Sequence, residues 1–331
     1  MALNSSSPSE MSQRAPVDAV TRLVSKSSGR LGFGTGLLHH VNDSKSAVSL
    51  LRQANDLGVT YFDTARLYGD GRCEGLIGEA FSHMREDVII ATKVGILPTP
   101  RDLRTRVQGK AATLLRRLPP LRRVVPEPAP QRPEFGVFDR DRMQRSFETS
   151  LQQLRTDHVD LLLLHECTLE DVRRPEVTDF LDQMVREGKA RAYGVAPTPE
   201  AMRAIAGSGA PYGAVAQFDG GLREGISFAG VSPPALMVTH SCLGDSFRSM
   251  LKRLQEDGAL KQRWSSALGV DTGDPALVAQ AFLAHALHQN SGGIVLFSTT
   301  QPDRLRANLE APAWLSAPDK IAALSQLLAG E

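Results

Sequence analysis

Four ionisable side chains stand at or just beyond the ends of short hydrophobic runs. Asp63 closes one run and Tyr68 follows it by five residues, while Lys93 and His165 close two later runs. Together they supply a carboxylate, a phenol, an ammonium and an imidazole, which are groups that can exchange protons with a substrate. Because the carboxyl ends of the strands of a parallel barrel converge on one face, we expect these groups to form a single active site.

Eight such runs alternate with amphipathic segments, which indicates strands separated by helices. Most of the runs lack strict alternation, as is typical of strands that are buried on both faces. The predicted strands lie at about 31–36, 59–63, 88–93, 159–164, 190–195, 213–217, 235–239 and 293–297. The predicted helices lie at about 44–57, 74–84, 139–155, 176–187, 198–206, 276–289 and 302–309. The sequence therefore predicts an α/β fold of the (β/α)₈ TIM-barrel type in a single domain.

Three segments depart from this rhythm. Residues 1–28 are polar and Ser-rich and are expected to form a flexible arm before a barrel that spans 29–331. The Pro- and Arg-rich stretch 97–137 follows the third strand, so we expect an insertion on the active-site face. Its middle, 103–118, could form a basic helix. The stretch is either a partly ordered surface excursion, or a lid that contributes to the substrate pocket or a contact surface for a partner. The connection between the sixth and seventh strands is short, so the sixth helix is predicted to be shortened or missing.

The composition argues against several classes of protein. The chain has 331 residues, of which 41% are hydrophobic, and its net charge of +1 gives no sign of a nucleic-acid or membrane-surface partner. No apolar stretch approaches the roughly 20 residues that a membrane span needs. The three cysteines are isolated, without a Cys-x-x-Cys pair, which favours a reducing cytoplasm. His39 and His40 are adjacent and point different ways on most backbones, while His285 and His288 share a helix face but lack an evident carboxylate partner, so no metal site is predicted.

The motifs around the four ionisable residues resemble those of the aldo-keto reductase superfamily. The resemblance runs from about Leu31 to Asn308, and it leans slightly towards the sugar-dehydrogenase side of that superfamily. Four motifs in family order make the resemblance specific. They are Gly32-Phe33-Gly34-Thr35-Gly36, Leu57-Gly58-Val59-Thr60-Tyr61-Phe62-Asp63-Thr64-Ala65 with Tyr68-Gly69, Thr92-Lys93-Val94-Gly95, and Leu163-Leu164-His165.

The resemblance implies hydride transfer between a nicotinamide cofactor, NADP(H) or NAD(H), and a small carbonyl, alcohol or sugar substrate. Hydride addition to a carbonyl leaves an alkoxide, which Tyr68 would protonate as general acid. A free phenol has a pKa of about 10, and the ammonium of Lys93 would lower it. Asp63 would compensate the buried charge of Lys93, and His165 would orient the carbonyl oxygen.

The resemblance also implies a cofactor site in the later loops. Arg304 would reach the adenosine ribose or its 2′-phosphate, Asn308 the adenine, and Gln217 the nicotinamide carboxamide. Ser298 stands where many relatives carry a lysine, so the preference between NADP and NAD is open. The loop after the seventh strand would lie against the pyrophosphate. The residues expected to bind the cofactor are Gly34, Thr35, Gln217, Ser241, Leu243, Gly244, Ser298, Thr299, Arg304 and Asn308.

Two departures from the family pattern keep other functions open. Ala196-Pro197 stands where many members carry Ser-Asn, and the position of an aromatic that stacks on nicotinamide falls near Asp219-Gly220. Besides carbonyl reduction, the alternatives are aldose 1-dehydrogenation, a cofactor-sensing or interaction module, and a lyase or isomerase. Taken singly, each ionisable residue also has a structural interpretation, as a helix cap, a buried phenol, a solvated strand end or a His–Glu pair.

Overall fold

The computed structural model describes residues 20, 29–41, 43–99, 132–210, 212–220 and 233–330. Eight parallel strands in these residues form one closed barrel, in which each strand pairs with its neighbours in sequence and β8 pairs with β1. The strands are β1 Leu31–Gly34, β2 Tyr61–Asp63, β3 Ile89–Val94, β4 Val159–His165, β5 Ala190–Ala196, β6 Val215–Asp219, β7 Leu236–His240 and β8 Ile294–Phe297. Every boundary lies within two residues of its prediction, and the (β/α)₈ fold is confirmed.

Eleven α-helices surround the barrel in the described part of the chain. They are α1 Ser44–Asp56, α2 Arg72–Phe81, α3 Arg140–Leu154, α4 Leu169–Arg173, α5 Pro175–Arg186, α6 Pro199–Ser208, α7 Asp245–Glu256, α8 Gly258–Leu268, α9 Pro275–Gln289, α10 Pro302–Leu309 and α11 Pro318–Ala329. The seven predicted helices correspond to α1, α2, α3, α5, α6, α9 and α10. Helices α4, α7, α8 and α11 were not predicted. The expected shortening of the sixth helix and the expected basic helix at 103–118 fall on residues outside the described ranges.

Alternate side chains of the strands fill the barrel, and the intervening ones pack against the helices. Phe62, Ile90 and Leu162 face outwards, in the cluster that the helices cover. The interior cluster includes Tyr61, Ile89, Ala91, Leu161, Leu163, Ala192, Val215, Leu236, Val238, Ile294 and Leu296. Because side chains alternate with a period of two, Asp63, Lys93 and His165 continue the inward rows at the carboxyl ends of β2, β3 and β4. This end of the barrel is called the mouth below.

The two ends of the predicted insertion are joined at its base. Leu97 and Glu134 form an antiparallel bridge, in which each backbone N–H donates to the other residue's carbonyl at 2.9 and 3.0 Å. Val137 adds a hydrogen bond from its N–H to the carbonyl of Gly95 at 2.9 Å. We call the Leu97–Glu134 pair the insertion neck. The remainder, 100–131, lies outside the described residues, and its role as excursion or lid stays a prediction.

The predicted flexible arm is largely outside the described residues. Val20, which is described, is buried and belongs to the cluster that fills the barrel interior. The three cysteines are all buried and unpaired. Within the described ranges, no helix combines the length and the apolar character needed to cross a membrane.

Asp160, at the amino end of β4, anchors the end of the barrel opposite the mouth. Its side chain is fully buried. Oδ2 accepts hydrogen bonds from Arg85 Nη2 at 2.7 Å and from the backbone N–H of Ile90 at 2.9 Å. Arg191 Nη1 lies 3.0 Å from Oδ1. One carboxylate therefore joins β3, β4, β5 and the segment before β3.

Replacing Asp160 by Ala is expected to lower the free energy of unfolding by about 3 kcal/mol, because two arginines and a buried amide lose their partner. This loss of stability lies at the low end of the roughly 3–5 kcal/mol expected for breaking a buried ion pair, because both arginines are partly exposed to water. Asp157→Ala is the matched control, because that neighbouring carboxylate is 95% exposed and should matter little. Urea-unfolding curves measure both variants. Equal midpoints for the two would contradict the anchoring role of Asp160.

Candidate active site

Lys93 and Asp63 form a buried ion pair at the mouth. Lys93 Nζ lies 2.7 Å from Asp63 Oδ1 and 2.8 Å from Oδ2, and it donates to the carbonyl of Thr64 at 3.0 Å. Three acceptors thus surround the three donors of the ammonium. Burial, the largest single influence, would lower the pKa of Lys93, but the Asp63 carboxylate and the Tyr68 phenol together outweigh burial and raise that pKa. The ammonium therefore stays charged at neutral pH.

Tyr68 lies beside this pair, on the loop after β2. Its ring centroid is 5.2 Å from Lys93 Nζ, and its ring is nearly perpendicular to that of His165, with 6.1 Å between the centroids. Burial raises the pKa of the Tyr68 phenol, although the ammonium of Lys93 opposes the rise. The net direction is opposite to the lowering expected from the sequence, because desolvation outweighs the ammonium. The phenol is consequently protonated at neutral pH.

His165 provides a neutral imidazole. Burial, helped by the positive charge of Lys93 and by His240, lowers the pKa of His165 to about 3. The ring therefore has one N–H donor and one acceptor nitrogen over the whole neutral range. The structure thus brings together all four ionisable residues that the sequence singled out, with a charged pair, a protonated phenol and a neutral imidazole at one opening.

A second imidazole at the mouth, that of His240, was missed as a site residue by the sequence analysis. His240 ends β7, and it is paired in register with Asp219 at the end of β6. Its Nδ1 lies 2.8 Å from Ser241 Oγ. Burial lowers the pKa of His240, while Asp219 opposes that shift. The alternation of side chains along the strand could have identified it, because His240 lies two residues after Val238 and four after Leu236, on the same inward face.

A buried carboxylate behind the mouth ties its parts together. Glu74 of α2 is fully buried, and it accepts hydrogen bonds from Thr92 Oγ1 at 2.7 Å and from Arg66 Nη1 at 3.1 Å. Thr92 directly precedes Lys93, and Arg66 lies two residues before Tyr68. One side chain thus links α2 to β3 and to the loop that carries the phenol.

Backbone strain also concentrates at the mouth. Asp70, Glu166 and Ser241 have φ values of 56°, 51° and 68°, and they follow β2, β4 and β7. Among the described residues, the other non-glycine case is Arg155, which caps the end of α3. Such left-handed residues occur often at functional sites, where the surroundings hold them in place. The three loops therefore form a rim whose conformation is fixed by its neighbours.

Several residues that were expected to bind a cofactor already have partners in the protein. Thr35 donates from its N–H and its Oγ1 to the carbonyl of Asp63, at 2.9 Å in each case. Ser298 Oγ donates to the carbonyl of Gly34 at 2.7 Å. A Cβ added at Gly34 would also lie only 2.7 Å from Ser298 Oγ, so this close approach requires a glycine. These contacts close the barrel between β1, β2 and β8.

Other expected cofactor residues have groups available for a ligand. Gln217, at the inward face of β6, has a buried Oε1 that accepts no hydrogen bond from any described residue. Arg304 lies exposed on α10 and has no ion pair in the part of the chain described, whereas Asn308 lies buried on the same helix. This helix begins at Pro302, where no side chain of the described residues caps it, while Thr299 Oγ1 accepts from the N–H of Gln301 at 3.1 Å.

The loop between β7 and α7 is a tight turn. The N–H of Gly244 donates to the carbonyl of Ser241 at 2.7 Å, and a Cβ at Gly244 would lie 2.7 Å from that oxygen. Leu243 packs partly buried against the core. Gly244 is the N-cap of α7, and no described side chain accepts a hydrogen bond from the first N–H groups of this helix.

A family model described as the Aldo/keto reductase family matches residues 30–216, more than half of the chain. The chain belongs to the aldo-keto reductase family. The match includes all four ionisable residues at the mouth. It ends just before Gln217, so most of the expected cofactor residues lie beyond the part that the aldo-keto reductase model matches.

Curated relatives and solved structures are similar to this family member. Oxidoreductase YdhF of Escherichia coli is 34% identical over 173 residues, which are 51% of this chain and 48% of YdhF. Pyridoxal 4-dehydrogenase of Microbacterium luteolum is 35% identical over 151 residues, 41% and 39% of the two chains. The matches thus span less than half the length of these relatives.

Two solved structures share the aldo-keto reductase fold over nearly the whole chain. An aldo-keto reductase from Klebsiella pneumoniae in complex with NADPH has a TM-score of 0.59 and 21% identity, with 90% of each chain covered. The glycerol dehydrogenase from Gluconobacter oxydans has a TM-score of 0.63 and 19% identity, with 91% of each chain covered. At these identities the likeness concerns the fold alone.

Proposed function

We propose that the protein is an NAD(P)(H)-dependent oxidoreductase that transfers hydride between a nicotinamide cofactor and a carbonyl or alcohol substrate. The observation that carries the proposal is the buried Lys93–Asp63 pair beside Tyr68 and His165 at one opening. Membership of the aldo-keto reductase family and the oxidoreductase names of the relatives support the same reaction class.

Each of the four residues has a role in this proposal. When bound, the cofactor supplies or accepts the hydride. Tyr68 Oη donates a proton to the substrate oxygen during reduction, and its phenolate takes a proton back during oxidation. Lys93 stabilises that phenolate, and Asp63 keeps the ammonium in place. The N–H of the neutral His165 ring holds the carbonyl oxygen towards Tyr68.

The residues beyond β5 suit a nicotinamide dinucleotide. The buried Oε1 of Gln217, which has no partner among the described residues, would accept an N–H of the nicotinamide carboxamide. Arg304 would hold the 2′-phosphate or the ribose, and Asn308 the adenine. The start of α10, which no described side chain caps, would offer backbone N–H groups to a phosphate. Because Ser298 donates to Gly34 and is not a lysine, Arg304 would carry most of any preference for NADP(H).

Titration with NADPH and NADH, followed by nicotinamide fluorescence, tests the cofactor. Arg304→Ala is expected to weaken NADPH binding by roughly tenfold and NADH binding less, because only NADPH offers a charged 2′-phosphate. The matched control is Arg306→Ala, on the same helix but near Asp303, at 3.8 Å. If folded protein bound neither nucleotide, the proposed function would be withdrawn.

A substrate panel tests the reaction direction and the substrate class. It includes simple aldehydes and ketones with the reduced cofactor, and aldoses with the oxidised one. Pyridoxal and glycerol join the panel because two relatives are named a pyridoxal 4-dehydrogenase and a glycerol dehydrogenase. Turnover of an aldose alone would assign the protein to sugar oxidation. Cofactor binding without any turnover would favour the sensing module.

The pH dependence follows from the two shifted pKa values. Below its raised pKa the Tyr68 phenol is protonated, so kcat/KM for reduction is expected to stay constant from about pH 5 to 9. It falls only above about pH 10, as the acid is lost. His165, with a pKa of about 3, adds no inflection in this range. A pH–rate profile measures this, and an inflection near neutral pH would assign the proton transfer to a histidine instead.

A further inference from the structure

A cavity of about 210 Å³ lies outside the barrel interior, between the loop after β2, the insertion neck and the first half of α3. Three arginines line it, Arg66 from the loop and Arg142 and Arg145 from the helix. Leu97 and Pro98 form an apolar wall. The four candidate catalytic residues do not line this cavity, so it is a separate site from the mouth.

The charges around the cavity leave one cation uncompensated. Arg66 is paired through Nη1 with the buried Glu74. Arg142 is paired with Glu134 of the insertion neck, with 2.8 Å between Nη1 and Oε1. The side chain of Arg145 forms no ion pair and no hydrogen bond within the described ranges. Three guanidinium groups thus face two carboxylates, so the part of the lining that the structure describes has a net positive charge.

A buried hydroxyl in the same lining also lacks a partner. Ser146 is 6% exposed, and its Oγ has no hydrogen bond with any described residue. Leaving a buried polar group unpaired is unfavourable, and such groups usually bond to the protein or to a bound molecule. The Ser146 hydroxyl and the three guanidinium groups are all hydrogen-bond donors, and they line the cavity from both α3 and the loop after β2. They suit an acceptor-rich anion.

We propose that this cavity binds the phosphate group of a small phosphate monoester. Guanidinium groups recognise phosphate oxygens through paired N–H donors, and Arg66 keeps donors that Glu74 does not occupy. The volume is below the roughly 300 Å³ of pockets for drug-sized ligands, so only a few carbon atoms can accompany the phosphate. Leu97 and Pro98 provide the apolar contact for those carbons. The site does not depend on the proposed hydride transfer.

Calorimetric titration of the full chain with inorganic phosphate, at constant ionic strength set with chloride, tests the site. Saturable one-site binding is expected. Arg145→Gln should weaken it by roughly tenfold, because the uncompensated charge is lost, and Ser146→Ala by a few-fold. Arg248→Gln, an exposed arginine on α7, is the matched control and should bind as the wild type does. Equal affinity in Arg145→Gln and the wild type would overturn the proposal.

Two further arms separate this site from other anion sites. Phosphate binding should persist in Arg304→Ala and in the presence of saturating NADPH. Displacement by NADPH would place the ion in the cofactor site and overturn the proposal, whereas a failure of NADPH to bind would leave the phosphate result intact. Ethyl phosphate should bind at least as tightly as inorganic phosphate, and weaker binding would overturn the monoester assignment. Non-saturable binding would mean an adventitious ion only.

Discussion

Tyr68→Phe is expected to lower kcat by about 10²–10⁴-fold while the affinity for NADPH stays unchanged. The substitution removes one oxygen and with it the proton that the alkoxide needs. The ring itself remains, so the contacts with Lys93 and His165 are kept. Steady-state kinetics on the best substrate of the panel and fluorescence titration of the cofactor measure the two quantities on one preparation.

Tyr193→Phe is the matched control for this experiment. Its hydroxyl donates to Asp182 at 2.9 Å, on the outer side of the barrel between β5 and α5. Its loss should reduce stability slightly and leave kcat unchanged. Comparable loss of activity in both variants would point to a general structural effect. Full activity of Tyr68→Phe would remove the phenol from the proposed mechanism and favour another proton donor at the mouth, such as His240.

Lys93→Met is expected to abolish activity and also to lower the free energy of unfolding by about 3–5 kcal/mol. The methionine has a similar length and is apolar, so it fills the space of the lysine stem. It leaves the Asp63 carboxylate, which is buried and only 3% exposed, without its counter-ion. Chemical unfolding measures the stability, and kcat measures the loss of the group that stabilises the phenolate.

The double variant Asp63→Asn/Lys93→Met separates the two effects. Since neither partner is charged, most of the lost stability should return, because the cost arises from an unpaired buried charge. Activity should not return, because the ammonium is still absent. If the double variant were as unstable as Lys93→Met, the cost would lie in packing around the methionine. If it recovered activity, Lys93 would have no part in the chemistry.

The sequence predicted the barrel well, because strands that are buried on both faces are nearly continuous apolar runs, and most of these eight have Gly, Pro or charged residues at their borders. The four candidate catalytic residues were recognisable for a related reason. Each of Asp63, Lys93 and His165 is a polar residue at the end of such a run, where topology alone brings strand ends together. Their family order made the site specific.

The parts that were missed depend on three-dimensional context. Helix α7 begins after Gly244, which has no side chain to supply the usual N-cap signal. The direction of the Tyr68 pKa shift depends on how far burial outweighs a nearby ammonium, which no motif records. His240 and Asp219 were overlooked as a pair, because they are 21 positions apart in the chain and only the β6–β7 register places them side by side.

The insertion neck also bears on how such a protein can evolve. Because Leu97 and Glu134 are already hydrogen-bonded as in a hairpin, the chain between them can grow, shrink or be exchanged without moving β3 or α3. The entropic cost of a longer loop rises only with the logarithm of its length. Natural selection, or a protein engineer, could therefore replace the surface beside the mouth while the candidate catalytic residues stay in place.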